Sequence, residues 1–394
     1  MTSPKILYCA NSAFAFATFL RPHLEVLSRR GFQIVVALPH NAPPPAYLAE
    51  NGIEVHFLAI KREIAPCDDL RCFWQLWNLI RAVRPDIINV TTPKMGLLGS
   101  IAAFLARTPI RIYTMRGLRL ETKRGFARLV LLCAEWIACR GSSVVICISG
   151  SLRKRALELR LVEPAKAILL GPLVSEGVCI ADYAPSYTNR AAAELLRTKL
   201  LIAPAAPVLG FIGRLTRDKG ISELVLAFQT IKKNFPTARL LLIGDFEPGD
   251  PVPPAICRAI REDHAILHVG YVDHPHGYYH LMDVLVLPTH REGLGKVLLE
   301  AAAAGKPVIA SRTVGVVDVV QENVTGILVK PGDHNELAAA MTRVLSDPAA
   351  AIEMGAAARE RAAAHFDADS HFEDLMNFYR ADRVSAIASS PAIS

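Results

Sequence analysis

Nowhere in the 394 residues does an uncharged apolar run reach the roughly 18 positions that a membrane-spanning helix needs. The longest apolar-rich runs, residues 95–106 and 129–134, fall short of that length. The start of the chain, MTSPKILYCANSAF, lacks a charged segment followed by an apolar one and a small-residue cleavage site. It enters a strand at once, and a cytoplasmic protein is the expectation. Eight cysteines are present, but no CxxC pair and no His–Cys cluster at zinc spacing. Disulfide frameworks and zinc modules are therefore excluded, and buried, reduced thiols are expected. There is no recognised nucleic-acid-binding motif and no basic stretch interleaved with aromatics, so nucleic acid is not an expected partner.

What is present is a well-packed globular composition. Apolar residues make up 52% of the chain and charged residues 21%, which excludes a disordered polymer. The length predicts two domains or one large one. Charge is uneven. Residues 1–180 hold 23 Lys and Arg against 12 Asp and Glu, a net of +11; the remainder hold 21 against 25, a net of −4. A basic first half points to an anionic partner, such as a membrane surface or a phosphate-bearing acceptor.

The chain alternates strand and helix signals. In the first half, strands are predicted at 5–10, 32–39, 53–60, 85–92, 110–117 and 142–149. Helices are predicted at 22–30, 69–83, 95–106 and 126–139. The rhythm pauses at 171–188, read as a linker. It resumes with strands at 207–215, 238–245, 265–272, 283–289, 307–311 and 325–333. Helices are predicted at 189–199, 220–234, from 296, from 335, and at 370–381. Apolar strands alternating with helices mean parallel sheets covered on both faces. Two doubly wound domains facing a central cleft are predicted, with ligands at the carboxyl ends of the strands. The last ten residues, SAIASSPAIS, are expected to be disordered.

Two stretches carry chemistry. GFIGRLTRDKG (210–220) is a strand, a loop and a helix start with Arg214 and Lys219 at its mouth. Free amides, helix dipole and side-chain charge converge there on an anion, unless the segment is an ordinary solvated turn. REGLGKVLLEAAAAGKPVIAS (291–311) is a glycine turn, an alanine-rich helix and a strand. Lys296 sits in the helix's first turn, where it opposes the dipole. An i,i+4 pair with Glu300, in the weaker orientation, is worth at most roughly 0.5 kcal/mol and explains little. A bound diphosphate explains Lys296 better. Glu300, one turn deeper among apolar residues, needs partners, and the vicinal hydroxyls of a ribose would serve. Glu292 would then face whatever lies beyond the phosphates. Ribose, diphosphate and next group in that order are the layout of a nucleotide sugar.

The E-x7-E spacing of Glu292 and Glu300, Arg214 and Lys219 in their GR-x4-KG context, TGILVKPGDHNELAAAM (325–341) and HVGYVDHPHGYYHLMDVLVLPTHREG (268–293) together resemble the family 4 retaining glycosyltransferases. The likeness runs from the first strand to about residue 382 and is more specific in the second half. It implies the GT-B architecture, with an acceptor-binding Rossmann-like domain at 1–178 and a nucleotide-sugar-binding one at 179–365. Residues 366–394 would be a helix crossing back to the first domain, plus the tail. Arg214, Lys219 and Glu292 are the implied catalytic residues. The donor set adds Gly213, Gly270, Tyr271, Val272, Gly293, Leu294, Gly295, Lys296, Val297 and Glu300. No metal and no cofactor are implied; no convincing DxD motif is present, and the cations would do a metal's electrostatic work.

There are departures. The loop after the first strand, ANSAFAFATF (10–19), has no glycine, and Arg116 stands where many relatives have histidine. An arginine takes no proton at neutral pH, so no base role transfers to it. The linker has Glu176 where Asn is common. RIYTMRGLRLETKRGFARLVLLCAEWIACR (111–140) places six Arg and Lys from Arg111 to Arg128, then an apolar helix. With Phe14, Phe16 and Phe19 it is read as a basic, apolar rim, alternatively as a solvated loop before a core helix. It resembles transferases that extend undecaprenyl-diphosphate-linked sugars in capsule, O-antigen or exopolysaccharide assembly, often from a UDP-N-acetylhexosamine or another UDP-sugar. Thr92, Lys94, Arg116, Arg119 and Lys123 are the candidates for a lipid-linked saccharide acceptor. Peripheral contact with an anionic membrane, on the inner face of the cytoplasmic membrane, follows. A nucleotide-sugar 2-epimerase and a non-catalytic assembly subunit stay open as alternatives.

Overall fold

The computed structural model describes residues 4–40, 43–61 and 65–380, so the expected disorder of the last ten residues lies outside the described part. The described residues up to Ser175, with those from His371 onward, form one compact unit; Glu176–Ser370 form the other.

The first unit is built on a seven-stranded sheet. Its strands are β1 (Lys5–Cys9), β2 (Gln33–Pro39), β3 (Glu54–Leu58), β4 (Ile87–Thr91), β5 (Ile110–Met115), β6 (Val144–Cys147) and the two-residue β7 (Ala167–Ile168), in the order β3-β2-β1-β4-β5-β6-β7. Every pairing is parallel. Strands β2, β4 and β6 are Val- and Ile-rich and almost wholly buried, which is why they read as continuous apolar runs; the edge strand β3 is mostly open. Order reverses between β1 and β4, the switch point of a doubly wound sheet. The last helix, Ala368–Arg380, contributes Leu375, Met376 and Tyr379 to this unit's core. Inside that core the hydroxyls of Tyr8 and Tyr379 meet at 2.8 Å. Asn89 donates to Tyr379 at 3.1 Å and accepts from Thr114 at 2.9 Å. These buried polar groups on three adjacent strands and a helix satisfy one another.

The second unit has six parallel strands: β8 (Val208–Ile212), β9 (Arg239–Ile243), β10 (Ile266–Gly270), β11 (Val284–Leu287), β12 (Val308–Ser311) and β13 (Gly326–Val329), ordered β10-β9-β8-β11-β12-β13. Its switch point lies between β8 and β11. The linker read at 171–188 holds the short helix Ile180–Tyr183 and the start of helix Tyr187–Lys199. Helices at Gly150–Glu158, Pro254–Glu262, His276–Leu281 and Pro348–His365 were not separated in the sequence reading. Cys9, Cys72, Cys139 and Cys147 are buried, but Cys67, Cys133 and Cys179 are exposed, so burial of the thiols holds for about half of them. Among the described residues no helix is long and apolar enough to cross a membrane.

One helix of the first unit, Gly125–Gly141, departs from the usual inside-out order. Its carboxylate, Glu135, is buried and accepts from the Tyr113 hydroxyl at 2.8 Å. Burial pushes the Glu135 carboxyl up to about 7, against the lowering effect of that hydrogen bond. A carboxyl with a folded pKa above its ordinary 4.5 binds its proton more tightly in the folded chain. Folding stability therefore falls as pH rises from about 4.5 through about 7, by about 3 kcal/mol at its largest. Glu135→Gln keeps an acceptor for Tyr113 and removes the titration. Denaturant melts at pH 5 and pH 8 are expected to differ in the parent chain and to converge in the variant; equal slopes in both would reject this origin.

Candidate active site

The second unit places its chemistry where β8 and β11 diverge. After β8, Arg214 is half-exposed and ion-paired with Glu247, which lies in the segment after β9. The chain then makes a short 3-10 turn, Arg217–Lys219, closed by Gly220 at φ 72°. A Cβ on Gly220 would lie 2.0 Å from the carbonyl oxygen of Pro288, so only glycine lets this turn pass against the segment after β11. The close approach brings Lys219 Nζ onto Glu292 Oε2, both largely buried.

The segment 288–295 is pinned around Asp218. The Asp218 carbonyl accepts from the Thr289 hydroxyl at 3.1 Å and the His290 amide at 2.8 Å; its carboxylate takes Arg291 Nη2 at 2.9 Å. His290 Nε2 lies 3.0 Å from Glu223 Oε1. That bond holds the His290 imidazolium, raising its pKa above the usual histidine range. For Glu223, burial works upward, but the bond from His290 and its neighbours bring the carboxyl below its usual value. His290 is thus a clamp on the segment that carries Glu292.

Gly295, at φ 76°, caps the helix Lys296–Ala303 with no side-chain partner for its first amides. Gly293 and Leu294 are buried before it, while Lys296 and Val297 are partly open. Glu300 is 8% exposed. The burial of this carboxylate, expected from the sequence to call for a ribose, is met within the protein. The Tyr279 hydroxyl donates to Glu300 Oε2 at 2.6 Å, and the Tyr183 phenol lies close enough to feel the charge of the same carboxylate. The two rings meet edge to face at 5.5 Å. Burial, then the negative charge of Glu300, push both phenols upward, so they stay protonated as donors. The other oxygen, Oε1, lies 4.0 Å from Lys296 Nζ. Tyr279, Tyr183 and Glu247 are residues the sequence reading missed; nothing in their local spacing marks them.

Gly213 donates its amide to Ile243 at 2.9 Å and leads into Arg214. Gly270 ends β10 at φ 76°, followed by Tyr271, half-exposed, whose amide meets Asp245 Oδ1 at 3.2 Å, and by Val272, partly open. The structure therefore sets Gly213, Arg214, Lys219, Gly270, Tyr271 and the Glu292–Glu300 segment all at the carboxyl ends of β8, β10 and β11.

The acceptor candidates lie in the first unit. Thr92, directly after β4, takes φ 76° and ψ 145°, a conformation costly for a β-branched residue by about 1–3 kcal/mol, and its hydroxyl is buried without a hydrogen-bond partner. Lys94 is largely buried and paired with Asp69 at 2.5 Å. Arg116 donates to the Thr91 hydroxyl at 2.8 Å and stacks over Phe19 at 5.1 Å. Arg119 and Lys123 are exposed in and just after a 3-10 turn. Of the three phenylalanines read as a rim, Phe14 and Phe19 touch edge to face, but Phe16 is fully buried in the core. It belongs to packing because it falls on the inward side of the helical segment that follows β1.

Two family patterns match the chain: "Glycosyl transferases group 1" over residues 193–361 and "Glycosyl transferase 4-like domain" over 17–172. The capsular polysaccharide biosynthesis glycosyltransferase CapM of Staphylococcus aureus is 32% identical over 360 residues, 91% of this chain and 93% of CapM. The chain belongs to the group 1 glycosyltransferases. This glycosyltransferase is also similar to the UDP-Gal:alpha-D-GlcNAc-diphosphoundecaprenol alpha-1,3-galactosyltransferase of Escherichia coli. The identity there is 25% over 327 residues, 82% of each chain. Among solved structures, Anabaena Alr3699/HepE in complex with UDP-glucose superposes with a TM-score of 0.77 at 21% identity, covering 95% of this glycosyltransferase and 99% of that chain. That likeness shows the GT-B fold.

Proposed function

We propose that this glycosyltransferase moves a sugar, with retention at the anomeric carbon, from a UDP-sugar to a polyprenyl-diphosphate-linked saccharide in cell-surface polysaccharide synthesis. The observation that carries the reading is the Lys219–Glu292 contact beside a helix start, with the buried Glu300 one turn into that helix. A diphosphate exchanges carboxylates for phosphate oxygens on Lys219 and Arg214, and these cations stabilise the leaving nucleotide. Glu292, released from Lys219, turns to the sugar hydroxyls. The amides at Gly293, Leu294, Gly295 and Val297 and the Lys296 charge meet phosphate, Glu300 the ribose, and Tyr271 the base. No metal is needed in this scheme. The bond from the anomeric carbon to the phosphate oxygen breaks with its electron pair on the diphosphate, and the acceptor oxygen bonds on the same face. Since Arg116 takes no proton, that diphosphate oxygen takes the hydroxyl's.

The names of the two relatives support the acceptor class: one acts in capsule synthesis and the other on a diphosphoundecaprenol-linked sugar. Thr92, Lys94, Arg116, Arg119 and Lys123 would meet the acceptor diphosphate, on the inner face of the cytoplasmic membrane. The test is nucleotide release from UDP-, GDP- and ADP-sugars, with EDTA, with and without detergent-solubilised polyprenyl-diphosphate saccharides. Release from a UDP-sugar only when acceptor is present is expected. Conversion of the free nucleotide sugar without acceptor would replace this reading by an epimerase, and loss of release in EDTA would overturn metal independence.

A further inference from the structure

The helix Gly125–Gly141 turns its one carboxylate inward and large apolar side chains outward. Phe126, Leu129, Val130, Trp136 and Ile137 recur at three- and four-residue spacing on its solvent side, with Phe126 80% and Trp136 45% exposed. Glu135, Ala138 and Cys139 occupy the buried side. Soluble monomers seldom expose so many large apolar groups together. The rim is cationic. Lys123 and Arg124 are exposed just before the helix; Arg140 near its end lies over the Trp136 ring at 5.4 Å and is ion-paired with Glu163. The acidic groups facing this region are already engaged: Glu135 is buried against Tyr113, Glu121 lies 3.4 Å from Arg155, and Glu163 is paired with Arg140 at 2.7 Å.

We infer that this helix face is a docking surface for an anionic lipid bilayer, with Phe126 and Trp136 entering the headgroup–acyl boundary and Lys123 and Arg124 meeting lipid phosphates. Apolar area and cations side by side on one helix are what an interfacial helix requires, and neither suffices alone. A second copy of the chain would bring a patch of the same net sign, whereas an anionic bilayer brings the opposite charge. The net +11 of residues 1–180 adds long-range attraction of the same sign. The inference deepens the lipid-linked-acceptor reading, which gives the docking its purpose, but binding itself needs neither donor nor acceptor.

The test uses the full chain and vesicles of phosphatidylglycerol with phosphatidylcholine, or phosphatidylcholine alone. Wild type is expected to sediment with the anionic vesicles and to lose roughly tenfold in binding on phosphatidylcholine alone or in high salt. Phe126→Ser with Trp136→Ser is expected to lose a further tenfold on anionic vesicles, with thermal unfolding unchanged. A companion chain with Trp74→Phe and Trp77→Phe leaves Trp136 as the one tryptophan of the three, whose emission is expected to shift to the blue and to be quenched by brominated lipid. Vesicle binding that ignores the double substitution, or a Trp136 that bromine does not quench, overturns the inference. So does a wild-type dimer that the substitution disperses, which would make the face a contact between copies. Failure of every UDP-sugar in the transfer assay, with vesicle binding intact, would sink the function reading and leave this one standing.

Discussion

Lys219→Ala is expected to lower kcat by roughly 10²–10³-fold, the range found when a fixed electrostatic donor to a developing oxyanion is removed. Lys219 is largely buried, and the Gly220 turn against Pro288 fixes its backbone. On the proposed reading its charge would act on the leaving diphosphate with little solvent screening. Arg214→Ala should cost less, because that side chain is half in water. The comparison is made by single-turnover kinetics at saturating donor, with thermal unfolding measured on each chain. Removing Lys219 also leaves Glu292 buried without its partner, so Lys219→Arg serves as the second variant; it keeps the charge and should recover part of the loss. Equal kcat in Lys219→Ala and wild type would remove Lys219 from the chemistry.

Tyr279→Phe is expected to raise the KM for the donor roughly 10–100-fold with a smaller effect on kcat. It deletes the 2.6 Å hydrogen bond to Glu300 and leaves a buried carboxylate short of a donor, a cost of about 1.5–3 kcal/mol for a charged group. Glu300→Gln should reach a similar KM by loss of the negative charge and of one of the two carboxylate acceptor oxygens. The discriminating readout is competition by UDP against 2′-deoxy-UDP and 3′-deoxy-UDP. If Tyr279 orients Glu300 toward the ribose, the preference for intact UDP shrinks in both variants. A preference that shrinks in Glu300→Gln but persists in Tyr279→Phe would confine Tyr279 to packing. A preference unchanged in both would take Glu300 away from the ribose.

Much of the site was legible because it is local. Glu292 and Glu300 are eight residues apart on one turn and helix, and Arg214 and Lys219 share one strand–loop–helix. Strand and helix periodicity fixed which ends of the sheet these segments occupy. What each charge touches was not legible. Arg214 finds Glu247, 33 residues on, and Lys219 finds Glu292, 73 residues on. Such partners depend on which loops follow neighbouring strands, and β9 and β11 flank β8 only through crossovers. That part of Glu300's need for partners is met inside the protein was hidden for the same reason: Tyr279 lies on a helix not marked in the sequence.

The sequence by itself determined the two doubly wound sheets, because β-branched runs between helical stretches can be buried only in parallel strands covered on both faces. It also determined the family, through motifs confined to short segments. Only the tertiary structure decided which way the helix Gly125–Gly141 turns. Its apolar spacing marks a face but not which way that face points; the structure puts Glu135 inward, bonded to Tyr113 on β5. Drawing that carboxylate inward leaves Phe126 and Trp136 no place but the surface.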